Sequence, residues 1–294
     1  MKNVKAGHTR PIVCVDAGHY AKYNRSPVVP AYYESEMNWK LAHLLDAQLS
    51  QYGIDVRHTR TDPNKDMELT DRGKASAGAD LFISIHSNAA DSESVRYVVA
   101  MFQVDDNCGE MDEQSREVAA ILAETVATVM DLPWQTWSTK SSSDRDGNGY
   151  KDDYYGVLRG AHTVHTAGVI IEHGFHTHAA TAKWLLVEDN LQKLAVAEAK
   201  AIAEWFDVKA AEPTIPKSST FTLTMPMLRK GDSGEPVRAM QILLMGRGEK
   251  LPKYGADGDF GGETLNAVNH YQEANGLDAD GICGPLTWCK LLGV

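Results

Sequence analysis

The chain has 294 residues, of which 43% are hydrophobic and 23% are charged, and its formal net charge is −11. These values are ordinary for a folded protein with one sizeable domain and a smaller one. The acidic balance disfavours nucleic-acid partners, which need clustered lysine and arginine, and no apolar run approaches the roughly 18 residues of a membrane helix.

Strand and helix patterns alternate through the first two thirds of the chain. Strands are predicted at 12–16, 55–60, 81–86, 96–104 and 168–175. Helices are predicted at 34–50, 112–130, 179–187 and 190–206. Because such alternation is typical of mostly parallel sheets covered on both faces, we predict an α/β fold with a twisted, mostly parallel sheet flanked by helices.

A second, small domain is predicted after a linker at 209–220, which has two prolines and no periodic apolar pattern. The domains would then span 1–208 and 221–294. An internal repeat lies in the second: Asp257-Gly-Asp-Phe-Gly aligns with Asp280-Gly-Ile-Cys-Gly, and each copy leads into a helix. Helices at 235–245, 263–275 and 285–292 make a three-helix module, better suited to binding than to catalysis.

Three apolar runs of strand length each end near a residue that can bind a metal or move a proton. These residues are His19, His86 and Glu172. Ligands of open α/β sheets bind at the carboxyl ends of the strands, so we expect these side chains to meet at one edge. A single histidine at a strand end is more often structural, and the interpretation depends on the three occurring together.

The helix pattern at 34–50 separates two neighbouring glutamates. Its apolar stripe includes Met37 and Leu41, which must face the core, and Glu34 projects onto the same face. Glu36 points to the opposite side, with Lys40. Since a carboxylate on a buried face needs a partner, and a metal ion is one, we select Glu34 as the third ligand.

Two imidazoles and one carboxylate hold zinc while leaving a coordination position open for water. The ion lowers the pKa of that water to roughly 7. A carboxylate outside the coordination shell then takes the proton and passes it to the leaving amine, and Glu172 is the candidate for this role. The residues thus predict zinc-assisted amide hydrolysis with His19, Glu34 and His86 as metal ligands.

Four motifs resemble those of the zinc-dependent N-acetylmuramoyl-L-alanine amidases of the amidase_3 type. They are Asp16-Ala-Gly-His19, Glu34 at a helix start, Ser84-Ile-His86-Ser-Asn88 and Ile171-Glu172-His-Gly-Phe175. The resemblance covers roughly residues 10 to 207. It implies the same zinc ligands, Glu172 as catalytic acid/base, and cleavage between N-acetylmuramic acid and L-alanine. Ala17 stands where the family usually has proline, a loop change that affects no ligand.

The module from about 227 to 293 resembles the peptidoglycan-binding domain that often accompanies wall hydrolases. The likeness rests on residues 228–237, 257–261 and 281–288. Residues 1–11 carry no apolar stretch of signal-peptide length. We therefore expect a protein made in the cytoplasm and released through a holin, as a phage or prophage endolysin is, with bacterial peptidoglycan as its partner. The four cysteines lack CxxC spacing and are expected to be reduced.

Two other functions stay open from the residues. One is a zinc endopeptidase or carboxypeptidase acting on the stem peptide or cross-bridge, and the other is a silent wall-binding protein. The segment 144–152 has an EF-hand-like order, but Tyr155 occupies the twelfth position, so a polar loop near the cleft is favoured over a calcium site. Five histidines around Glu172 are interpreted as a polar rim of the cleft: His162, His165, His173, His176 and His178.

Overall fold

The computed structural model describes residues 1–104, 109–145, 149–209 and 225–292. The chain divides into two compact units, Met1–Thr214 and Ile215–Val294. Of the predicted linker at 209–220, only Lys209 lies within the described residues, and the predicted domain limits stay predictions. Each unit has its own apolar core and is described by itself.

The first unit is built on one six-stranded sheet within the described residues. The strands are β1 (Ile12–Ala17), β2 (Asp55–His58), β3 (Leu81–Asn88), β4 (Val98–Phe102), β5 (Trp134–Trp137) and β6 (Ala167–Phe175). Their order is β2-β1-β3-β6-β4-β5, and only the β4–β6 pair is antiparallel. The predicted mostly parallel sheet is therefore confirmed.

Helices cover both faces of this sheet. They are α1 (Glu34–Leu49), α2 (Leu69–Lys74), α3 (Gly109–Met130), α4 (Gly156–Thr163), α5 (Ala179–Leu185) and α6 (Glu188–Trp205). Because strand side chains alternate between faces, Val15 and Ile83 pack into one core with α1, α3 and α6, whereas Cys14 and Phe82 pack into the other with α4. Both faces are apolar, which is why the central strands are continuous apolar runs.

Two glycines allow α2 and α4 to pack closely. A Cβ atom on Gly73 would collide with the Val157 carbonyl oxygen, and one on Gly160 would collide with the Thr70 carbonyl oxygen. The two backbones therefore approach each other without intervening side chains. Helix α4 packs on the sheet face opposite α1, and α2 packs against α4.

The second unit contains α7 (Glu235–Gly246), α8 (Gly262–Ala274) and α9 (Pro285–Leu292). Its core includes Val237, Met240, Val268 and Trp288, each at most 2% exposed. The three-helix module predicted from the sequence is therefore confirmed. None of the helices in the described part of the chain is long and apolar enough to cross a membrane.

The internal repeat is a repeat of structure as well as of sequence. The Gln241 side-chain amide donates to Asp257 Oδ1 at 2.9 Å, and its oxygen accepts from the Gly258 backbone N–H at 2.8 Å. In the second copy Gln272 donates to Asp280 Oδ1 at 2.9 Å and accepts from the Gly281 N–H at 3.0 Å. A buried glutamine thus fixes each Asp-Gly turn.

Three elements of the first unit were not predicted: α2, α4 and β5. Helices α2 and α4 are only 6 and 8 residues long and contain glycine, which weakens any helical pattern. Strand β5 has four residues with largely exposed side chains, so it lacks an apolar run. Strand β5 is held by backbone pairing with β4 rather than by burial of its own side chains. Cys14, Cys283 and Cys289 form no disulfide within the described part of the chain, and Cys108 lies outside it.

Candidate active site

Three adjacent parallel strands deliver the predicted residues to one edge of the sheet. Strand β3 lies between β1 and β6, with Ala17 opposite Ile85 and His86 opposite Glu172. His19 follows β1 by two residues. The carboxyl ends of β1, β3 and β6 therefore bring His19, His86 and Glu172 together, as expected for an open α/β sheet.

Close packing between the β1 end and β3 depends on Gly18. A Cβ atom at this position would overlap the His86 imidazole ring. The Gly18 backbone N–H also donates to the Ile85 carbonyl at 3.0 Å, which extends the β1–β3 pairing to the motif. Gly18 therefore lets the two histidines come within metal-binding range.

His19 has a left-handed backbone with φ of 59°, an unfavourable conformation for a residue with a side chain. The turn is held by Arg72, which is 3% exposed and lies within 3.4 Å of the His19 carbonyl and 3.2 Å of the Ala17 carbonyl. Arg60 donates to the same Ala17 carbonyl. Arg72 also pairs with the buried Asp16 at 3.6 Å, so buried charge fixes the loop that carries His19.

The two glutamates at the start of α1 face in opposite directions, as the helical pattern predicted. Glu34 is 1% exposed, whereas the side chain of Glu36 is 44% exposed and pairs with Lys22 at 3.8 Å. The Glu34 carboxylate accepts a hydrogen bond from the Ser87 backbone N–H at 3.1 Å and one from Asn24 at 2.7 Å. These bonds hold it against the end of β3.

The ligand atoms of His19, Glu34 and His86 all lie within 4.8 Å of one another. Glu34 Oε1 is 2.9 Å from His86 Nδ1 and 3.3 Å from His19 Nε2. Burial acts to raise the pKa of Glu34, but hydrogen bonds and charge from the two histidines hold it well below its usual value. The converging nitrogen and carboxylate donors are the set that catalytic zinc sites use, and they fit a divalent metal.

Glu172 stands beside this cluster as a carboxyl group with little solvation. Its Oε2 atom is buried and has no hydrogen-bond partner in the described part of the chain. Burial, and next the negative charge of Glu34, raises the pKa of Glu172 well above its usual value. Such a group holds its proton to a higher pH than an ordinary solvated carboxyl does, which suits an acid/base.

A buried network behind the cluster was not predicted. His176 is 4% exposed, with Nδ1 3.0 Å from Ser87 Oγ and 3.9 Å from Glu34 Oε2. Ser87 Oγ is in turn 2.7 Å from the hydroxyl of the buried Tyr32. This network supports the strand end that carries the Glu34 contacts. No motif around Tyr32 in the sequence indicated that its hydroxyl takes part in this network.

The prediction of a polar histidine rim was wrong for three of the five residues. His162, His173 and His176 are buried. His173 points away from Glu172, because neighbouring side chains of a strand alternate between its faces. Its Nδ1 is 3.0 Å from the His86 carbonyl and its Nε2 is 3.2 Å from Glu198. His173 and His176 are accommodated in the interior because carboxylate, carbonyl and hydroxyl oxygens lie within hydrogen-bond distance of their ring nitrogens.

The cluster opens into a cavity of about 330 Å³. Its lining includes His19, His86, Tyr20, Tyr23, Glu68, Leu69 and Arg72. The Tyr23 ring stacks on His19 with centroids 5.0 Å apart. The side chains of His19 and His86 remain 28% and 19% exposed, so a substrate and water can reach the cluster.

The EF-hand-like segment 144–152 lies partly outside the described residues, which do not include 146–148. Asp144 accepts a hydrogen bond from the Gly149 N–H at 2.9 Å. Asp152 is buried and pairs with Arg145 at 3.0 Å. The aromatic residues near this segment are partly exposed, with Trp137 at 39% and Tyr154 at 60%.

The fold and the cluster define a hydrolase-type site at the carboxyl edge of an α/β sheet, and the comparisons identify the family. The chain belongs to the N-acetylmuramoyl-L-alanine amidase family, whose model matches residues 13–204. A model for a peptidoglycan-binding domain matches residues 233–291. Two separate family signals thus fall in the two units.

Similar solved structures support the fold. The catalytic domain of CwlV, an amidase from Bacillus (Paenibacillus) polymyxa var. colistinus, is 24% identical with a TM-score of 0.54, and the match covers 68% of this chain and 99% of that one. An N-acetylmuramoyl-L-alanine amidase from Clostridium difficile 630 is 22% identical with a TM-score of 0.56, covering 68% and 98%.

Curated relatives match over shorter stretches. The amidase CwlL of Bacillus licheniformis is 43% identical over 77 residues, 26% of this chain and 21% of that protein. The zinc D-Ala-D-Ala carboxypeptidase of Streptomyces albus G is 45% identical over 64 residues, 22% of this chain and 25% of that protein. The chain therefore spans only about a fifth to a quarter of the length of these relatives.

Proposed function

We propose that this chain hydrolyses the amide bond between N-acetylmuramic acid and the L-alanine of the stem peptide, using zinc held by His19, Glu34 and His86. The observation that carries the proposal is the convergence of these three ligand atoms within 4.8 Å, next to Glu172. The family membership supplies the class of bond.

Zinc bound by these residues supplies a Lewis acid that polarises the amide carbonyl and acidifies water. Glu172 takes a proton from the attacking water, because it lies outside the three-ligand set and beside it. It then delivers this proton to the leaving nitrogen, so that the amine of L-alanine departs neutral. The raised pKa of Glu172 suits the second step, since burial favours the protonated carboxyl.

Backbone pairing and buried charge fix the positions of the residues in the cluster. His86 holds the position opposite Glu172 on β3, and Arg72 fixes the turn that presents His19. The side chains of His19 and His86 face the open cavity, so the scissile amide can reach these residues from the solvent side. Three adjacent strands of one sheet hold the backbone of these residues in fixed register, which gives the positioning that hydrolysis requires.

We also propose that the second unit binds peptidoglycan, on the basis of its family match over 233–291. Attachment of a wall-binding module raises the local substrate concentration at the catalytic unit through effective concentration. The module contributes targeting and no chemistry.

Digestion of purified sacculi tests the proposed reaction. We expect an amidase to release the amino group of L-alanine and leave glycan strands with an unsubstituted lactyl carboxylate, read by end-group labelling and mass spectrometry. Chelation should stop the reaction and zinc should restore it. Glu172→Gln should slow it by about two to four orders of magnitude while keeping the zinc.

A peptidase is the second candidate, because the cluster by itself supports zinc-assisted hydrolysis of an amide without specifying which amide. A peptidase would free other stem or cross-bridge groups and leave L-alanine on the sugar. Recovery of L-alanine still bound to muramic acid in every product would transfer the assignment to this class.

The route to the wall stays a prediction. We propose an endolysin role, with release through a holin. Lysis of cells that express the chain together with a holin, but not of cells that express the chain alone, would support it; lysis without a holin would contradict it.

A further inference from the structure

A second group of metal-ligating side chains lies where α1 meets the edge strand β2 of the catalytic unit. It consists of His43, Asp46 and His58, and no step of the proposed reaction uses it. The three ligand atoms all lie within 4.8 Å of one another. Its donor set, two imidazoles and one carboxylate, is the same as that of the catalytic cluster.

The three side chains come from two elements that the fold fixes side by side. His43 and Asp46 are three residues apart on α1 and so share one helix face. His58 is the last residue of β2, the strand at the edge of the sheet. Convergence on one point therefore depends on tertiary packing between helix and strand rather than on neighbouring sequence.

The distances suit metal binding with little movement. His58 Nε2 lies 3.1 Å from Asp46 Oδ2, and the rings of His43 and His58 have centroids 4.7 Å apart at an interplanar angle of 38°. Ligand atoms about 2.0–2.2 Å from one zinc ion must be separated by roughly 3–4 Å. Small side-chain rotations are sufficient to bring the three donors to that spacing.

Neighbouring contacts hold two of the three ligands. The Ser50 hydroxyl donates to the other Asp46 oxygen, Oδ1, at 3.4 Å, which leaves Oδ2 directed at His58. The Trp39 ring meets His43 edge-on with centroids 4.7 Å apart. Such supporting contacts orient the ligands of metal sites. The side chains of Asp46 and His58 are 36% and 19% exposed, so water can complete the coordination.

This group is separate from the catalytic cluster. His43 and Asp46 lie nine and twelve residues beyond Glu34 on α1, which at 1.5 Å per residue is about 14–18 Å along the helix axis. One ion cannot contact both sets. The group can therefore bind or lose an ion while the catalytic ligands keep theirs.

An ordinary surface ion pair is the simpler interpretation, and the protein offers an example of one. His270 lies 2.9 Å from Glu249 in the second unit, and no third ligand joins them among the described residues. At His58 and Asp46 a second imidazole is present within reach. That third donor is the difference between a pair and a chelating set.

We propose that His43, Asp46 and His58 form a second site for a transition-metal dication that accepts imidazole, with zinc as the reference ion. A bound ion would link α1, which carries Glu34, to the short edge strand β2. Strand β2 pairs with β1 alone among the described strands, so a metal cross-link would restrain an otherwise weakly held edge. The site does not depend on the proposed amidase reaction.

Metal stoichiometry tests the site in the full chain. Protein stripped with a chelator is dialysed against zinc, and bound zinc is measured by atomic emission. We expect about two ions per wild-type chain and about one in His58→Gln, which removes one of three ligands but retains a hydrogen-bond donor for Asp46. His43→Ala should give the same loss. His270→Ala, the matched control, should bind as much as wild type.

Two further readouts separate the site from the catalytic one. His58→Gln should retain its amidase activity and its circular dichroism spectrum, and Glu34→Ala should lose a different equivalent of zinc. Hydrogen exchange of the β2 amides should slow on adding zinc to wild type but not to His58→Gln. Equal zinc contents in wild type and His58→Gln would overturn the second site, whatever the outcome for Glu34→Ala.

Discussion

His86 and Glu172 lie directly opposite each other on the neighbouring parallel strands β3 and β6. Paired residues of parallel strands direct their side chains to the same face, so a proposed metal ligand and the proposed acid/base are set side by side by backbone hydrogen bonds alone. Helix α1 gives the two residues different roles. Its Glu34 contacts His86 and completes the proposed ligand set, which does not include Glu172. Glu172 keeps one carboxyl oxygen, Oε2, without a hydrogen-bond partner among the described residues.

The first prediction separates the two glutamates at the start of α1. Glu34→Ala should lose the catalytic zinc equivalent and the hydrolytic activity, because it removes one of three protein ligands. Glu36→Ala is the control from the same helical turn, and it should keep both because its side chain faces water. Zinc analysis and sacculus digestion measure the two outcomes. Loss of zinc in Glu36→Ala would contradict the assignment.

The second prediction concerns Arg72 as a positioning residue for His19. Arg72→Lys should weaken zinc binding by about 10–100-fold, the range for residues that orient metal ligands. A lysine cannot contact the His19 and Ala17 carbonyls and Asp16 at once, as the planar guanidinium does. Competition with a chromogenic chelator measures the affinity.

Excess zinc distinguishes this role from a general loss of folding. If Arg72 acts through His19, activity of Arg72→Lys should recover as zinc is raised. Arg57→Lys serves as the control, since Arg57 is exposed and donates to a single carbonyl, that of Ala77. Unchanged zinc affinity in Arg72→Lys would show that the turn holds His19 without it.

Much of the fold could be predicted because its signals are local. The apolar runs of β1, β3 and β6 are long and end on polar residues, and the stripe of α1 separates Glu34 from Glu36 without tertiary information. Strand-end geometry then places His19, His86 and Glu172 at one edge. Glu34 joins His19, His86 and Glu172 at this edge because the apolar pattern of each element determines which of its faces is turned towards the core.

The unpredicted features all depend on contacts distant in sequence. Asn24 and Ser87 hold Glu34 from a loop and a strand end, and Arg72 reaches His19 from a helix too short to give a pattern. His176 can be buried because Ser87 provides a hydrogen-bond partner for its ring. The hydrophobicity pattern of the sequence does not reveal such a partner. Sequence reasoning therefore found the groups proposed for chemistry but missed those that orient them.

The third prediction addresses the repeat in the second unit. Gln272→Leu should destabilise the α8–α9 turn, by about 1–3 kcal/mol for each buried group left without a partner, including the Gly281 N–H. Hydrogen exchange in the full chain, read on peptides from 225–292, measures the loss. Asn266→Leu, on an exposed position of α8, should leave exchange unchanged. Equal exchange in the two variants would exclude the proposed role of Gln272.

The last prediction uses pH to test the environment of Glu172. In metal-free protein, burial and then the charge of Glu34 raise the pKa of Glu172 well above its usual value. Between the unfolded and folded pKa values the native state binds the extra proton, so this group's contribution to stability is full below about pH 4.3 and is lost as pH rises. Glu172→Gln removes that dependence because the amide does not titrate.

We therefore expect the stability difference between Glu172→Gln and metal-free wild type to shift in favour of the variant as pH rises from about 5 to about 8. Urea unfolding of chelator-treated proteins at several pH values measures it, and other titrating groups cancel because both proteins contain them. Glu36→Gln, at an exposed carboxylate, should show little such shift. A difference that stays constant with pH would mean that Glu172 ionises as an ordinary solvated glutamate, and the proton-holding role proposed for it would then lose its physical basis.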